Sequence, residues 1–477
     1  MLSAATDRVL LRGVVIAAGL GWALAFIVIE FGARLQLYGD GAMFSYAVAA
    51  QDVWAFHWHN ISGRLTTYLL TMAPAEGVAG VTRSSVAAVM AYGLLLYLMP
   101  LVGLAATYAA DRSQRCVIFV FACASTAALC PLVFGFPTEM WLAHAWFWPA
   151  LAAAHYAQRG ARGSAAVFAT LLALVFSHEG GFVLAGTILA TLMLRGFHNG
   201  AFRRAARAFA AVVVLWIAVK AIFPPGPYYA DVYLRAALGF FDAALLRDPL
   251  LILIGIVLAG YALTCAALSR VTARAPVYAF LIVLGFLSVY WLGFDGSLHA
   301  SNRYYMRTLL VVLTPLFGIS AALLALEADG RLLLARPLLA RAIAAMRCVP
   351  PRVIVGIFVL VTLIHAVETT KFVAAWTDYK AAVLRLATGP AADPELGDPR
   401  FVSSDRIESK LNRLSWFSTT PYLSAVLADF APARLVIDPS STYFWLSCAT
   451  ATENLNAAHV VPRDVRMLVR TYSCEHR

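Results

Sequence analysis

The sequence predicts an all-α polytopic membrane protein, with about 11 transmembrane helices followed by a small mixed α/β domain at the C-terminus. Three observations lead to this prediction. The 477 residues are 61% hydrophobic and only 13% charged, whereas a soluble domain usually carries about 25% charged residues. The mean hydropathy of the chain is +0.75. Finally, apolar runs long enough to cross about 30 Å of hydrocarbon recur along the chain.

The first apolar run follows a basic N-terminus, as in a signal sequence, but it exceeds the roughly 7–15 apolar residues of a signal peptide and is read as a retained helix. The segment "SAAVFATLLALVFSHEGGFVLAGTILATLMLRG" is read as two short helices that turn at "SHEGG". This reading places the basic segment "RGFHNGAFRRAAR" on the same side as the other basic loops. The predicted spans are residues 12–34, 86–109, 116–134, 141–157, the two short helices, 206–223, 249–268, 276–293, 308–326 and 353–369.

The net charge of +11 comes largely from arginines in short loops between apolar runs, a distribution that argues against nucleic acid as a partner. The N-terminus and the loops on its side of the membrane together hold about 17 basic residues, and the segments on the other side before Lys371 hold about 7. This bias predicts an integral plasma (inner) membrane protein whose N-terminus is cytoplasmic. Its predicted domains are a transmembrane domain over 1–369, with a long first outer loop at 35–85, and a periplasmic domain over 370–477.

The predicted outer domain has its own short elements. "RFVSSDRI" and "ARLVIDPSS" are typical of strands, and "STTPYLSAVLADF" is typical of a helix that begins near Pro421. Cys448 and Cys474 are the two cysteines of this domain, and an oxidising compartment would allow them to form a disulfide. The other cysteines lie in or near predicted spans or on the inside.

The outer loop at 35–85 contains polar residues that are spaced among aromatic rings. Asp40 lies in "YGDG" just after the first span, where two glycines allow a sharp turn; capping of the following helix explains the same pattern. Asp52 fits a solvated or capping role. His57 and His59 fit interfacial packing better than a zinc site, because no third ligand accompanies them.

Other polar residues are predicted to reach the same outer face. His178 and Glu179 lie on the turn between the two short helices, where a buried ionisable pair indicates a functional site and a polar structural turn is the alternative. Arg303 and Arg307 precede a late span and have the planar fork that binds phosphate oxygens, although they would equally hold lipid head groups. Arg64 has the same two interpretations.

Together these features resemble the GT-C type glycosyltransferases, which are polytopic enzymes that use polyprenyl-phosphate sugars. The resemblance rests on an acidic residue just past the first span, a long amphipathic first outer loop and a pair of short middle spans. An "RYY" before a late span and a soluble C-terminal outer domain complete it. Asp40 matches the position of the catalytic acidic residue of these enzymes. Some members carry an adjacent acidic pair, whereas Gly41 follows here, so Glu139 and Glu179 are the candidate helpers.

The resemblance implies a membrane glycosyltransferase that moves a sugar from a polyprenyl-phosphate donor to an extracytoplasmic glycan, lipid or protein acceptor with inversion. Asp40 would be the general base, assisted by His178 and Glu179. No cofactor is required by any residue, and a divalent metal is left open. The expected phosphate-binding residues are Arg303, Arg307 and Arg64, and the expected substrate-lining residues are Tyr38, Asp52, Trp54, His57, Glu139 and Tyr304.

Two other functions are compatible with the sequence. A lipid or sugar transporter (a flippase) would predict inverted repeats and interrupted helices at the membrane midplane, and the sequence shows no repeat. A non-catalytic envelope assembly protein would use "LSWFSTTPYLS" in the outer domain as a docking surface. Both alternatives predict that function survives the loss of the Asp40 carboxylate.

Overall fold

The structure of the 477-residue chain is a computed structural model. It describes residues 4–51, 53–54, 62–133, 139–196, 199–224, short pieces between 230 and 286, and 300–331, 350–389, 399–416, 419–438 and 463–472. At 301–309 it describes the backbone alone.

Long helices dominate the N-terminal three quarters of the described chain. They are α1 (Ala4–Ala33), α2 (Asp40–Ala49), α3 (Ala73–Thr82), α4 (Ser85–Ala110), α5 (Val117–Val133), α6 (Glu139–Tyr156), α7 (Ala161–Val175), α8 (Gly181–Met193), α9 (Gly200–Ile222), α10 (Ala300–Ala328) and α11 (Pro351–Thr388). Within the described residues, five helices are long and apolar enough to cross a membrane: Asp7–Ala33, Ser85–Ala110, Gln114–Leu132, Gly200–Ile222 and Pro351–Thr388. This finding agrees with a polytopic helical membrane protein. The predicted spans at 249–268 and 276–293 lie largely outside the described residues.

The segment from 161 to 193 forms two short helices rather than one long helix, as predicted. The helices α7 and α8 have 15 and 13 residues, which makes each about 20 Å long. The chain reverses through Ser177–Gly180, and Gly181 permits this tight turn, because a Cβ there would collide with the carbonyl oxygen of Leu174. The prediction from the charge pattern is therefore confirmed.

One end of the helix bundle is held together by arginines. Arg195, which follows α8, donates from Nη1 to the carbonyl oxygen of His155 (2.8 Å). Arg204 on α9 donates to the carbonyl oxygens of Ala157 and Gln158, both at 3.0 Å. These carbonyls belong to the C-terminal end of α6, where a helix leaves acceptors unpaired and favours positive charge. We call this the basic end of the bundle.

The contacts at the basic end lead to a topological prediction. Because α6 and α8 finish there and α9 begins there, Arg195 and the basic start of α9 lie beside the loop that follows α6. We expect reporter fusions after Arg115, Arg162, Arg207, Arg274 and Arg347 to be cytoplasmic, and fusions near Gly80, Pro225 and Gly296 and within 370–477 to be external. An external reporter after Arg207 would contradict the orientation, and fusions after Arg162 serve as the control for the same end.

The C-terminal unit is built around a pair of parallel strands. β1 (Phe401–Ser403) pairs with β2 (Leu435–Ile437), and Val402 lies opposite Val436. Along the chain, the two strands are separated by α12 (Ser409–Asn412) and by the buried helix α13 (Thr420–Leu427). The helix α13 has Pro421 in its first turn, as predicted. The helix α14 (Arg463–Tyr472) follows. Cys448 and Cys474 lie outside the described residues, so their disulfide stays a prediction.

The helix α11 connects this unit to the bundle. It starts beside the start of α1, where Nε of Arg352 donates to Asp7 (3.0 Å). It continues through residue 370, where the boundary between the two domains was predicted, and reaches the end of α1, where Nε1 of Trp376 donates to the carbonyl oxygen of Ala33 (2.9 Å). Because α11 runs on in this direction, the C-terminal unit lies at the end of the bundle where α1 finishes.

The C-terminal unit packs against α2 and the start of α4. The ring of Tyr46 on α2 contacts the rings of Tyr422 (5.1 Å between centroids) and Phe430 (6.2 Å). The Ser85 hydroxyl at the start of α4 donates to the carboxylate of Asp464 on α14. The helix α2, the start of α4 and the C-terminal unit therefore lie together at one end of the bundle, opposite the basic end. We call it the site end.

Candidate active site

The turn that carries Asp40 has an unusual backbone. After α1 ends, Arg34 is in the left-handed region (φ 50°), a 3₁₀ turn follows over Leu35–Leu37, and Gly39 has φ 61° and ψ −135°. Only glycine adopts this last conformation without strain. Gly39 holds the N-cap position, so Asp40 is the first helical residue of α2 rather than its cap. Its carboxylate lies in the first turn, where the helix dipole favours negative charge.

The second glycine of "YGDG" is needed for a different reason. A Cβ at Gly41 would collide with the backbone carbonyl oxygen of Gln36, which cannot move without opening the 3₁₀ turn. We expect Gly41→Ala to displace Asp40 and to lower the unfolding temperature in detergent. The matched control is Gly77→Ala on α3, where a Cβ has no neighbour within 4 Å. Because alanine favours helices over glycine by about 1 kcal/mol, Gly77→Ala should be neutral or stabilising, and an equal loss in both variants would contradict this explanation.

Tyr38, which was predicted to line the substrate cavity, is only 2% exposed. Its ring packs edge-on against Phe372 (5.4 Å) and Trp376 (5.5 Å) of α11 and against Trp416 (6.3 Å). These contacts anchor the Asp40 turn to α11. Because Tyr38 is buried in this way, it is better placed to hold the turn in position than to contact a substrate.

Arg64 lies between two carboxylates at the site end. Nη1 of Arg64 donates to Oε1 of Glu139 (2.7 Å), while Nε and Nη2 donate to Oε2 of Glu179 (3.2 and 3.1 Å). The side chains of Arg64, Glu139 and Glu179 are 15%, 10% and 22% exposed. The three residues come from the first outer loop, the start of α6 and the α7–α8 turn, so the guanidinium joins three separate parts of the chain.

Glu139 precedes the predicted span at 141–157 and is the most enclosed of these carboxylates. Burial by itself would raise the pKa of Glu139, but nearby positive charge, chiefly that of the Arg64 guanidinium, outweighs burial and holds this pKa below its usual value. Glu139 is therefore ionised at neutral pH. An ionised carboxylate can pair with a cation, but it has no proton to donate.

His178 lies beside Glu179, with Nδ1 of the imidazole 3.7 Å from Oε2 of the carboxylate. The backbone N–H of Gly180 donates to the same Nδ1 (2.9 Å). In a neutral imidazole this nitrogen must then be the acceptor, and Nε2 carries the proton. Neutral His178 is thus a hydrogen-bond donor through Nε2. This tautomer suits contact with a phosphate or hydroxyl oxygen better than removal of a proton.

Lys220, near the end of α9, adds a second cation to this group. Its Nζ lies 3.5 Å from Oγ of Ser62 and 5.7 Å from the ring centre of Trp216. Gly63 allows the lysine to approach, because a Cβ there would stand 2.7 Å from Nζ of Lys220 and 3.6 Å from Oε1 of Glu179. We define the Arg64 cluster as Ser62, Arg64, Glu139, His178, Glu179 and Lys220.

Tyr92 of α4 is close to both Asp40 and the Arg64 cluster. Tyr92 is 3% exposed, and its hydroxyl lies within electrostatic range of Glu139, Asp40 and Glu30. The predicted base and Glu139 of the cluster are therefore both close to one buried phenol. The structure brings Asp40, Arg64, Glu139, His178 and Glu179 to the same end of the bundle, as the sequence predicted.

For the remaining predicted site residues, side-chain contacts are described only for Trp54. The ring of Trp54 packs on Tyr68 (5.6 Å) and on Phe223 beyond α9 (5.3 Å), so it covers the bundle close to Lys220. Asp52 and His57 lie outside the described residues. Three others lie in the first turns of α10, where the backbone alone is described: Arg303, Tyr304 and Arg307. Their roles stay predictions.

The sequence interpretation missed Glu30, Tyr92 and Lys220. Glu30 is 2% exposed, and its Oε2 accepts the backbone N–H of Gln36 (3.2 Å) beneath the Asp40 turn. Glu30 and Lys220 are each the single charged residue of an apolar run, at 13–33 and 208–224. A charge within a membrane span is costly unless it has a partner, so this pattern could have identified both. Tyr92 carried no such signal.

The fold and the site together define the class: a polytopic helical protein with a cluster of charged side chains at one end of the bundle, beneath a small α/β unit. Among the described residues, no group of three or more His, Cys, Asp or Glu side chains could hold a metal ion. Comparison of the sequence with models of known protein families and with curated proteins finds no match.

Proposed function

We propose that the protein is a membrane glycosyltransferase of the GT-C type. It transfers a sugar from a polyprenyl-phosphate donor to an extracytoplasmic acceptor with inversion, and Asp40 is the general base. The observation that supports this proposal is that Asp40 and Glu139 of the Arg64 cluster both lie near the buried Tyr92, at one end of the bundle. A carboxylate close to an enclosed group of charged side chains suits a reaction that removes a proton from one group while charge develops on another.

The proposed reaction is a direct displacement at the anomeric carbon. An acceptor hydroxyl attacks this carbon, its proton passes to the Asp40 carboxylate, and the bond to the lipid phosphate breaks with its electron pair on the phosphate oxygen. The phosphate gains negative charge in this step, and aligned guanidinium groups stabilise it. In this proposal Arg303 and Arg307 bind the phosphate. Arg64 has two carboxylate partners, so its charge is offset and its role is to position Glu139 and Glu179.

The location of the cluster supports a reaction at the membrane surface. A polyprenyl-phosphate donor keeps its chain among the apolar helices and its sugar in water, so its enzyme must hold polar groups at one end of the spans. The site end carries such groups, and Trp54 lies beside them. With the orientation predicted from the basic residues, the site end and the C-terminal unit are periplasmic and the protein lies in the inner membrane.

A flippase and a non-catalytic assembly protein are the alternative functions. The charged groups of the Arg64 cluster lie at helix ends, whereas a transporter of the inverted-repeat type binds its substrate near the midplane. An assembly protein would have no need of a glycine-bounded carboxylate at the start of α2. Both observations favour the enzyme.

The test is a transfer assay with purified protein, a polyprenyl-phosphate sugar and an extract of envelope acceptors. We expect Arg303→Ala to weaken donor binding and turnover together, because the donor phosphate is charged both before and during bond breaking. Arg303→Lys should recover only part of both, since lysine keeps the charge and loses the planar fork. Normal donor affinity in Arg303→Ala would instead assign Arg303 to lipid head groups. Absence of any transfer by the wild-type protein from every polyprenyl-phosphate sugar tested would contradict the proposed function.

A further inference from the structure

A cleft of about 570 Å³ separates the C-terminal unit from the helix bundle. It lies between α14, the segment after α13 and Arg83, which joins α3 to α4. Among the residues that line it are Arg83, Arg463, Phe430, Pro432, Met467 and Leu468. A volume of this size, at the boundary between two structural units, is typical of a small-molecule site.

Two arginines of this cleft differ from the arginines that hold parts of the bundle together. Arg64, Arg195, Arg204 and Arg352 each hold a carboxylate or a helix end. Arg83 and Arg463 are exposed, and neither guanidinium has a hydrogen bond or ion pair among the described residues. Both line the same cleft.

The carboxylate in the cleft does not offset both charges. Asp464 accepts the Ser85 hydroxyl at one oxygen and the backbone N–H of Val465 at the other (2.9 Å). With two arginines and one aspartate, the lining carries a net charge of about +1 at neutral pH. Guanidinium groups in such a site bind phosphate or carboxylate oxygens through paired N–H donors.

Most of the remaining lining is apolar. Phe430 and Leu468 are buried, while Met467 is 53% exposed, although it is a large hydrophobic side chain. Arg83 lies two residues before Ser85, where a helix long and apolar enough to span a membrane begins. The cleft therefore lies at the level where a membrane would present its head groups.

We propose that this cleft binds the phosphate group of a lipid, with Arg83 and Arg463 on the phosphate and Met467 and Leu468 against the first part of the chain. The phosphate could belong to an anionic phospholipid or to a polyprenyl phosphate. The binding does not depend on glycosyl transfer, since it uses none of the residues assigned to that reaction.

The experiment measures binding to the purified full-length protein in neutral maltoside micelles by microscale thermophoresis. The probes are farnesyl phosphate, dihexanoyl phosphatidylglycerol, neutral farnesol and inorganic phosphate. We expect Arg83→Gln and Arg463→Gln each to raise the dissociation constant of a lipid phosphate about tenfold, because each removes charge-assisted hydrogen bonds. The matched control is Arg466→Gln, an exposed arginine of the same helix that does not line the cleft.

The control should bind as the wild-type protein does, and the unfolding temperatures of all variants should agree. Arg463→Lys should lose part of the affinity, since it keeps the charge without the fork. Tighter binding of farnesyl phosphate or of the phospholipid identifies the source of the phosphate. The proposal is overturned by unchanged affinity in both glutamine variants, by an equal loss in Arg466→Gln, or by farnesol or inorganic phosphate binding as tightly as the lipid phosphates.

Discussion

Replacement of Asp40 by asparagine should lower the rate of sugar transfer by about 10²-fold or more. Asparagine keeps the size of the side chain and most of its hydrogen bonding, but it cannot accept the proton of the acceptor hydroxyl. Expression and donor binding should remain close to those of the wild-type protein, because Asp40 acts on the acceptor rather than on the donor phosphate. The measurement is the turnover of purified Asp40→Asn with a saturating polyprenyl-phosphate sugar.

A matched control for this variant is Asp378→Asn. Asp378 is an exposed carboxylate on α11, two residues beyond Trp376, so it lies near the same end of the bundle. The Asp378→Asn variant should transfer sugar at the wild-type rate. Near-normal transfer by Asp40→Asn would remove Asp40 from the mechanism, and function that survives this change would favour a transporter or an assembly protein.

Replacement of Arg64 should have the largest effect on stability. Arg64→Gln leaves the carboxylates of Glu139 and Glu179 without their shared cation, and both are largely enclosed. Loss of one partner of a buried ion pair costs about 3–5 kcal/mol, because the remaining charge stays buried. We expect a loss of about 3 kcal/mol in the free energy of unfolding, measured by equilibrium unfolding with SDS in mixed micelles.

A double-mutant cycle distinguishes this mechanism from general loss of packing. If uncompensated charge is the cause, the double variant Arg64→Gln/Glu139→Gln should lose less free energy of unfolding than the sum of the losses in the two single variants. Arg207→Gln is the control. Arg207 is an exposed arginine on α9 whose Nε donates to a carbonyl oxygen of its own helix (3.3 Å). Additive single changes, or an Arg64→Gln variant as stable as the control, would contradict the prediction.

Much of the secondary structure was predictable because its causes are local. Hydropathy over about 20 residues identifies a span, and the position of arginines in the loops led to two short helices at α7 and α8. The strands β1 and β2 and the helix α13 followed from β-branched runs and from Pro421. The helical continuation of α11 to Thr388 was not predicted, because residues 370–388 are polar enough to leave the apolar run while they keep helix-forming side chains.

The candidate site was predictable in its membership but not in its pairing. His178 and Glu179 were selected because ionisable groups at membrane depth are costly without a partner. Asp40 and Glu139 were selected from the resemblance to GT-C enzymes, and Arg64 from the affinity of guanidinium for phosphate. Arg64 was assigned to phosphate, whereas its guanidinium meets carboxylates 75 and 115 positions away in the chain. No local sequence pattern predicts which of the outer segments lie side by side in the folded protein.

The sequence by itself determined the class of this protein, the positions of most helices and the end of the bundle at which polar residues gather. These features follow from the transfer free energy of side chains from water to the membrane, which depends only on the residues of each segment. The tertiary structure alone decided that Asp40 and Glu139 both lie near Tyr92, that Arg64 joins two carboxylates, and that Arg83 and Arg463 line one cleft. Such contacts join residues far apart in the chain, and only the packing of helices against one another brings their side chains within reach.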